Sequence, residues 1–226
     1  MKGEAAKEAI KLAARRLFAT RGVDAVSVRE IVRATGQKNG ASLHYYFGSK
    51  DALVRELVID GARLIDDRRN AQLDALEAGA AGVTLRQAIE ILVWPASGLG
   101  DDGREDDYLR FISTFSLQNR AAFEEILGDR WNRGYQRCLT HTRRLSPTPA
   151  KVLDRRLVFL SLSLRAIMTA RETALALNAK HSFWTAPGAM DDLIDSFVVL
   201  VSPPGEVNQT STRARCEPPP VSEVES

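Results

Sequence analysis

Three polar side chains, Ser42, His44 and Tyr46, alternate within one short stretch of the sequence. Hydroxyl, imidazole and phenol groups can form hydrogen bonds with the edges of nucleic-acid bases or with phosphates. Leu43 and Phe47, four residues apart in the same stretch, would share one face of a helix. The stretch therefore predicts a short helix that packs through two apolar residues and carries polar groups suited to nucleic-acid contact.

A second short helix is predicted just before this stretch. Ser27 and Glu30 have the spacing of a capping box, in which a hydroxyl and a carboxylate each accept a free backbone N–H at the helix start. Apolar residues follow at helical spacing until Gly36, which is placed to end the helix in a left-handed conformation. Two short helices joined by a polar turn form a helix-turn-helix, a motif that lays its second helix in the major groove of DNA.

The predicted DNA contacts come from both helices, from the turn and from the start of the next helix. Asn39 is the expected N-cap of the second helix. Lys50 follows Ser49 at a further helix start, where backbone amides and an ammonium group can meet one phosphate together. The predicted contact residues are Ser27, Gln37, Lys38, Asn39, Ser42, His44, Tyr46 and Lys50.

Positive charge is concentrated at the amino-terminal end of the chain. Residues 1–50 contain ten Lys and Arg against four Asp and Glu, a balance of +6, whereas the whole 226-residue chain has a net charge of +2. A basic end on a body of net negative charge is typical of nucleic-acid binding confined to one domain. A first helix is predicted to end at Arg21, with Lys7, Lys11 and Arg15 on its exposed side.

Three blocks of sequence occur in a fixed order: AARRLFATRG at residues 13–22, VSVREI at 26–31 and LHYYFGSKDAL at 43–53. They resemble the DNA-binding domain of the TetR family of bacterial transcriptional regulators, and three ordered blocks are more specific than any single one. Two features differ from the usual family pattern. His44 and Tyr46 stand in exchanged order, and the turn before the second helix is one residue longer.

The resemblance implies an all-α protein in two parts. A three-helix helix-turn-helix DNA-binding domain over residues 1–50 would be followed by a larger helical domain over 51–202 that binds a ligand and dimerises. Members of the family generally bind a small molecule within the second domain, which changes the separation of the two DNA-reading heads. The chain is therefore expected to be a repressor that an unknown small-molecule effector releases from a double-stranded DNA operator.

Apolar periodicity predicts long helices in the rest of the chain. One begins at Ser49 and is long enough to join both domains. Its charged run at residues 66–69 is interpreted as a solvated face. The two C-terminal helices have broad apolar faces, which suits a homodimer interface of four helices. Residues 203–226, rich in Pro, Ser, Thr and Glu, are predicted to be disordered.

The middle of the chain supplies candidates for an effector site. Aromatic rings around a cavity with a few polar groups describe a ligand pocket, although rings at helical spacing also describe an ordinary core. Arg165 would meet an anionic effector or form an interhelical salt bridge. The ligand-binding candidates are Trp94, Phe111, Phe115, Trp131, Tyr135, Arg165 and Met168.

Other classes of protein fit the sequence less well. The three histidines lack metal-ligand spacing, and no phosphate-binding loop or nucleophile motif is present, so neither an enzyme nor a metal or cofactor site is predicted. Cys138 and Cys216 are interpreted as free thiols, with a redox pair as the alternative. Without an apolar span or signal peptide, the protein is expected in the cytoplasm. An effector-independent DNA-binding or adaptor protein remains the alternative function.

Overall fold

The computed structural model describes residues 2–36, 41–96, 107–128, 131–178 and 180–202. Within these ranges the chain forms ten α-helices and one short 3₁₀ turn, with no β-strand, which confirms the all-α prediction. Gln37, Lys38 and Asn39 of the predicted DNA-contact set lie outside the described residues, and so does the predicted tail at 203–226.

Three helices form the amino-terminal head, and a fourth leaves it. They are α1 (Lys2–Arg21), α2 (Val28–Ala34), α3 (Ala41–Phe47) and α4 (Lys50–Glu77). The predicted capping box is present, because the Ser27 N–H donates to Glu30 Oε2 at 2.8 Å and the Glu30 N–H donates to Ser27 Oγ at 3.3 Å. Gly36, just after α2, has a φ of +73°, as predicted. Glycine adopts this left-handed conformation without strain because it has no Cβ.

Helix α4 connects the head to the rest of the protein. Ser49 is its N-cap and accepts a hydrogen bond from the Ala52 N–H at 3.0 Å. The helix contains 28 residues, which corresponds to a length of about 42 Å. Its buried residues include Leu53 and Leu57 near the head and Ile65 and Leu73 farther along. One helix therefore contributes to a single hydrophobic core that extends from the head into the rest of the protein.

Six more helices form the body. They are α5 (Leu85–Val93), α6 (Tyr108–Gln118), α7 (Arg120–Leu127), α8 (Arg133–Leu145), α9 (Ala150–Leu177) and α10 (Ala189–Val201). Helix α5 ends before Pro95, which lies in the 3₁₀ turn Trp94–Ala96, because proline cannot continue the α-helical hydrogen bonds. Cys138 on α8 is a buried free thiol, and burial raises its pKa to about 11.

Helix α6 is the central element that joins the head to the body. It packs against α1 on one side and α9 on the other. Phe111 is fully buried, and its ring lies 5.8 Å from that of Phe18 on α1. Glu172 on α9 is also buried, and its carboxylate accepts hydrogen bonds from the backbone N–H groups of Leu109 and Arg110, at 3.0 and 2.8 Å. A side chain of α9 therefore caps the first turn of α6.

The predicted exposure of three cations on α1 is wrong. Lys7 forms an ion pair with Glu56 of α4 at 2.8 Å, and Lys11 binds both Glu56, at 3.1 Å, and another α4 carboxylate. Arg15 forms an ion pair with Asp107, a fully buried residue that immediately precedes α6. The acidic partners lie far away in sequence, so helical periodicity within α1 could not reveal them. Part of the positive charge of the head is thus neutralised by carboxylates on α4 and by the one just before α6.

The charged run in the middle of α4 is also not a simple solvated face. Asp66 is only 5% exposed and accepts a hydrogen bond from the Gly134 N–H of α8 at 2.7 Å. Arg69 donates hydrogen bonds to the Ile91 and Leu92 carbonyl oxygens at the end of α5, at 3.3 and 2.9 Å. These two residues join three helices, because each supplies a partner for main-chain groups that a helix end leaves unpaired.

Candidate nucleic-acid interface and internal cavity

Helix α3 presents a polar face opposite its buried one. Leu43 and Phe47 are buried at 1% and 9% exposure, as the sequence predicted. At about 100° per residue, Tyr45 lies about 200° around the helix from Leu43. Its side chain is 82% exposed, and the neighbouring His44 is exposed as well. The solvent-facing aromatic residue of this helix is therefore Tyr45, which the sequence analysis missed.

Tyr46 lies at the edge of this face. It is half-buried, packs against the hydrophobic core and makes an edge-on contact with the Phe47 ring at 6.5 Å between centroids. Ser42 is also half-buried. The predicted contact residues of α3 therefore differ in accessibility, with His44 outermost and Tyr46 partly committed to packing.

Ser27 positions the helix that precedes the turn. Its hydroxyl donates to Glu30 Oε2 at 2.7 Å, and Arg21 of α1 binds the other oxygen of the same carboxylate at 2.6 Å. Hydrogen bonds from the Ser27 backbone and side chain, with Arg21 beside them, lower the pKa of Glu30 to about 2. The carboxylate therefore stays charged near neutral pH and fixes the start of α2 against α1.

Two arginines provide positive charge on the outer side of α2. Arg29 and Arg33 are both exposed. Neither takes part in an ion pair within the described part of the chain, unlike Lys7, Lys11 and Arg15 of α1. Arg33 lies in the last turn of α2, next to the connection that leads to α3. Their guanidinium groups are available for phosphate contacts beside α3.

Lys50 binds within the head. Its ammonium group donates hydrogen bonds to the carbonyl oxygens of Val23 and Val26, both at 3.1 Å, and the side chain is half-buried. These carbonyls belong to the connection between α1 and α2. Lys50 therefore joins the start of α4 to that connection, while its predicted phosphate contact stays a prediction.

We expect Lys50→Ala to lower the free energy of unfolding by about 1–3 kcal/mol, because two carbonyl oxygens lose a charged donor. Urea unfolding of the variant and the parent protein at one protein concentration measures this change. Lys151→Ala, a substitution of an exposed lysine on α9, is the matched control and should shift stability by less than about 0.5 kcal/mol. Equal stability of all three proteins would contradict a role for Lys50 inside the head.

A cavity of about 390 Å³ lies in the body between α4, α6, α7, α8 and α9. Of the predicted ligand-binding residues, Trp131, Tyr135, Arg165 and Met168 line it. Its apolar wall is formed by Ala62, Ile65, Leu109, Ile112, Phe123, Leu127 and Leu164, together with Trp131 and Met168. Its polar lining includes Arg69, Tyr108, Ser116, Asn132, Tyr135, Ser161 and Arg165. The volume is that of a site for a small organic molecule.

The other three predicted ligand-binding residues do not line this cavity. Phe111 and Phe115 are buried side by side on α6, with ring centroids 6.1 Å apart, and Phe111 packs against α1. Trp94 is 42% exposed in the 3₁₀ turn after α5. Because α6 is buried on several faces, its apolar spacing did not indicate which residues point toward the cavity.

Arg69 is a cavity residue that the sequence analysis missed. Its guanidinium carbon lies 5.7 Å from the centroid of the Tyr135 ring, and burial lowers the pKa of its guanidinium. A sequence signal was available. Arg69 is four residues after Ile65 and four before Leu73, both of which are buried, so it occupies the inward face of α4.

A second cavity of about 390 Å³ lies between α1 and α4, and Tyr108 lines both cavities. The Tyr108 hydroxyl donates to the Val58 carbonyl oxygen at 3.1 Å, and its ring packs directly on Gly61. A Cβ at residue 61 would come within 2.0 Å of that ring, so only glycine fits there. Tyr108 therefore forms a wall between the interior of the body and the junction with the head.

No helix in the described ranges is both long and apolar enough to cross a lipid bilayer. The fold and the surface of α3 define a class: an all-helical protein with a helix-turn-helix head on a body that contains a partly open cavity. Residues 10–57 match the family model described as bacterial regulatory proteins, tetR family. The amino-terminal segment that carries the helix-turn-helix is therefore similar to bacterial regulatory proteins of the tetR family.

Solved structures resemble the chain over most of its length. One, described as superantigen PfiT, has a TM-score of 0.58 at 18% sequence identity and covers 88% of this chain and 96% of that chain. Another, Salmonella enterica GusR, has a TM-score of 0.42 at 16% identity and covers 87% of this chain and 93% of that chain. No curated protein sequence matches. The similarity to the first structure extends over head and body together and concerns the fold alone.

Proposed function

We propose that the protein is a dimeric transcriptional repressor of the cytoplasm, released from its operator by a small molecule. One observation carries this proposal. Helices α4 and α6 both line the body cavity, and both contact the head that matches the tetR-family model. The proposed division assigns residues 1–50 to DNA binding and 51–202 to effector binding and dimerisation. The second candidate is a DNA-binding or adaptor protein that responds to no effector.

The exposed face of α3 would read the base sequence. His44 and Tyr45 are its most accessible hydrogen-bonding side chains, and a helix in the major groove can present such groups to base edges. Arg29 and Arg33 would contact phosphates, which supply affinity and orientation without sequence preference. Ser27, Ser42 and Tyr46 would support this surface from its edges.

The two C-terminal helices would form the dimer. Helices α9 and α10 pack on each other, and both carry large apolar side chains in contact with solvent. Val158, Phe159 and Leu162 of α9 are 56%, 57% and 63% exposed, and Val199 of α10 is 66% exposed. Clustered exposed apolar residues mark an interaction surface. A symmetric pair built on this surface would offer two heads to two operator half-sites.

Release of DNA by a ligand requires the cavity and the head to be coupled. Helix α6 lines the cavity through Leu109 and Ile112, and it contacts α1 through the Phe111–Phe18 pair. The Arg15–Asp107 ion pair fixes the start of α6 to α1. A ligand changes DNA affinity only if it binds the two arrangements of these helices with different affinity.

The proposal is tested by electrophoretic binding of the purified chain to the DNA that flanks its own gene. We expect a retarded complex that survives an excess of random-sequence DNA at physiological salt, and a footprint with two half-sites. Equal displacement by random and flanking DNA would contradict operator recognition and favour the effector-independent alternative.

A further inference from the structure

The charged groups on the cavity wall are all of one sign. Among the described lining residues, Arg69 and Arg165 are charged, and no carboxylate lines the cavity. Arg165 is exposed at the rim, and it forms neither a salt bridge nor a hydrogen bond with any other described residue. The interhelical salt bridge that the sequence allowed for Arg165 is therefore not found within the described part of the chain.

The hydroxyl groups of the lining donate to the protein itself. Tyr108, Ser116 and Ser161 each donate to a main-chain carbonyl oxygen, at 3.1, 3.1 and 2.7 Å. Tyr135 and Ser161 are hydrogen-bonded to each other. Because the Ser161 proton goes to the Leu157 carbonyl, Tyr135 must be the donor in that pair. None of these four hydroxyls has a proton left to donate to a ligand.

The remaining charged donors are the two guanidinium groups, beside the neutral N–H groups of Trp131 and Asn132. Arg69 uses Nε and one Nη for the carbonyls at the end of α5, and its other N–H groups make no further hydrogen bond among the described residues. Burial lowers the pKa of Arg69, so a nearby anion would stabilise its charged form. Asp66, three residues before Arg69 on the same helix, does not line the cavity, and its carboxylate binds the Gly134 N–H.

We propose that the cavity binds an anionic amphiphile, a carboxylate with an apolar body, whose charged group is held by Arg165 with Arg69 as the second positive group. The inference rests on the proposed function in that this compound would be the effector. The apolar wall would accommodate the body of the molecule, and guanidinium groups pair well with carboxylates. A cationic or uncharged ligand would leave both guanidinium charges without a counter-charge.

The test compares probes of the same skeleton and different charge. Calorimetric titration of the full chain without DNA would use decanoate, decan-1-ol and decyltrimethylammonium, all below their self-association concentrations. A second set would use 1-naphthoate and 1-naphthamide. We expect at least one carboxylate to bind about tenfold or more tightly than its uncharged counterpart, and the cation to bind most weakly. Failure of both carboxylates to bind, or tighter binding of an uncharged or cationic probe, would overturn the inference.

Variants assign the preference to the arginines. Arg165→Gln should reduce the preference for the carboxylate by about tenfold. Arg155→Gln, an exposed residue of the same helix that does not line the cavity, is the control and should leave the preference unchanged. Arg69→Gln is a second variant, used where circular dichroism shows a parent-like fold, since Arg69 also supports the end of α5. An unchanged preference in Arg165→Gln would overturn the assignment.

A DNA-release experiment separates this inference from the proposed function. Carboxylate binding in the cavity without any effect on DNA would contradict the proposed ligand-responsive repressor and leave the anion site standing. Release of operator DNA only by uncharged or cationic compounds bound in the cavity would overturn the anion preference and leave the repressor standing.

Discussion

Leu162→Arg is expected to convert the protein from dimer to monomer and to lower operator affinity by about 100-fold or more. Leu162 is 63% exposed on α9, where it lies one turn from Val158, which is 56% exposed. An unpaired charge buried in a subunit interface costs several kcal/mol. A monomer would then engage one half-site at a time and lose the gain that comes from linking two heads.

Light scattering gives the direct readout for this variant. The mass should fall from about twice 24.9 kDa to one chain of 24.9 kDa, while circular dichroism stays unchanged. Leu117→Arg is the matched control, because Leu117 is a leucine of 85% exposure near the end of α6, on a helix outside the proposed interface. A Leu162→Arg protein that remains dimeric and binds the operator normally would place the interface elsewhere.

Phe111→Ala is expected to lower the free energy of unfolding by about 3–5 kcal/mol. Phe111 is fully buried, and its ring contacts Phe18, Tyr108 and Phe115, so the deletion would open a cavity where α1 meets α6. The affinity of the ligand cavity should change much less, because Phe111 does not line it.

Urea unfolding at one protein concentration measures the stability change, and probe titration measures the affinity. Phe111→Leu keeps most of the volume and should cost less than about 1.5 kcal/mol, which allows affinity to be measured in a well-folded protein. Phe183→Ala, at a side chain of 61% exposure, is the control for loss of a phenyl ring at the surface. If Phe111→Leu lost ligand affinity at parent-like stability, Phe111 would have to be assigned to the binding site.

Local signals in the sequence predicted the head well. The Ser27 capping box, the turn at Gly36 and the buried pair Leu43 and Phe47 all depend on residues close together in the chain, and the structure confirms them. Even the omission of Tyr45 could have been avoided, because its angular position opposite Leu43 follows from helix geometry alone.

Interactions between distant residues set the limit of the sequence analysis. The ion pairs of Lys11 and Arg15, and the burial of Asp66, depend on helices that come together only in the fold. The same applies to the cavity. Tyr135 and Arg165 line the cavity, whereas Phe111 packs against α1. Because α6 is buried on several sides, the spacing of its apolar residues does not show which of them face the cavity.

The most direct test of the account compares operator and random-sequence DNA for alanine variants at His44 and Tyr45, at fixed ionic strength. We expect a loss of about 1–3 kcal/mol on the operator for each variant, with little change on random DNA, because base contacts determine sequence preference and phosphate contacts do not. Lys151→Ala should leave both affinities unchanged. Equal losses on the two DNAs, or no loss on the operator, would contradict the assignment of α3 as the reading helix.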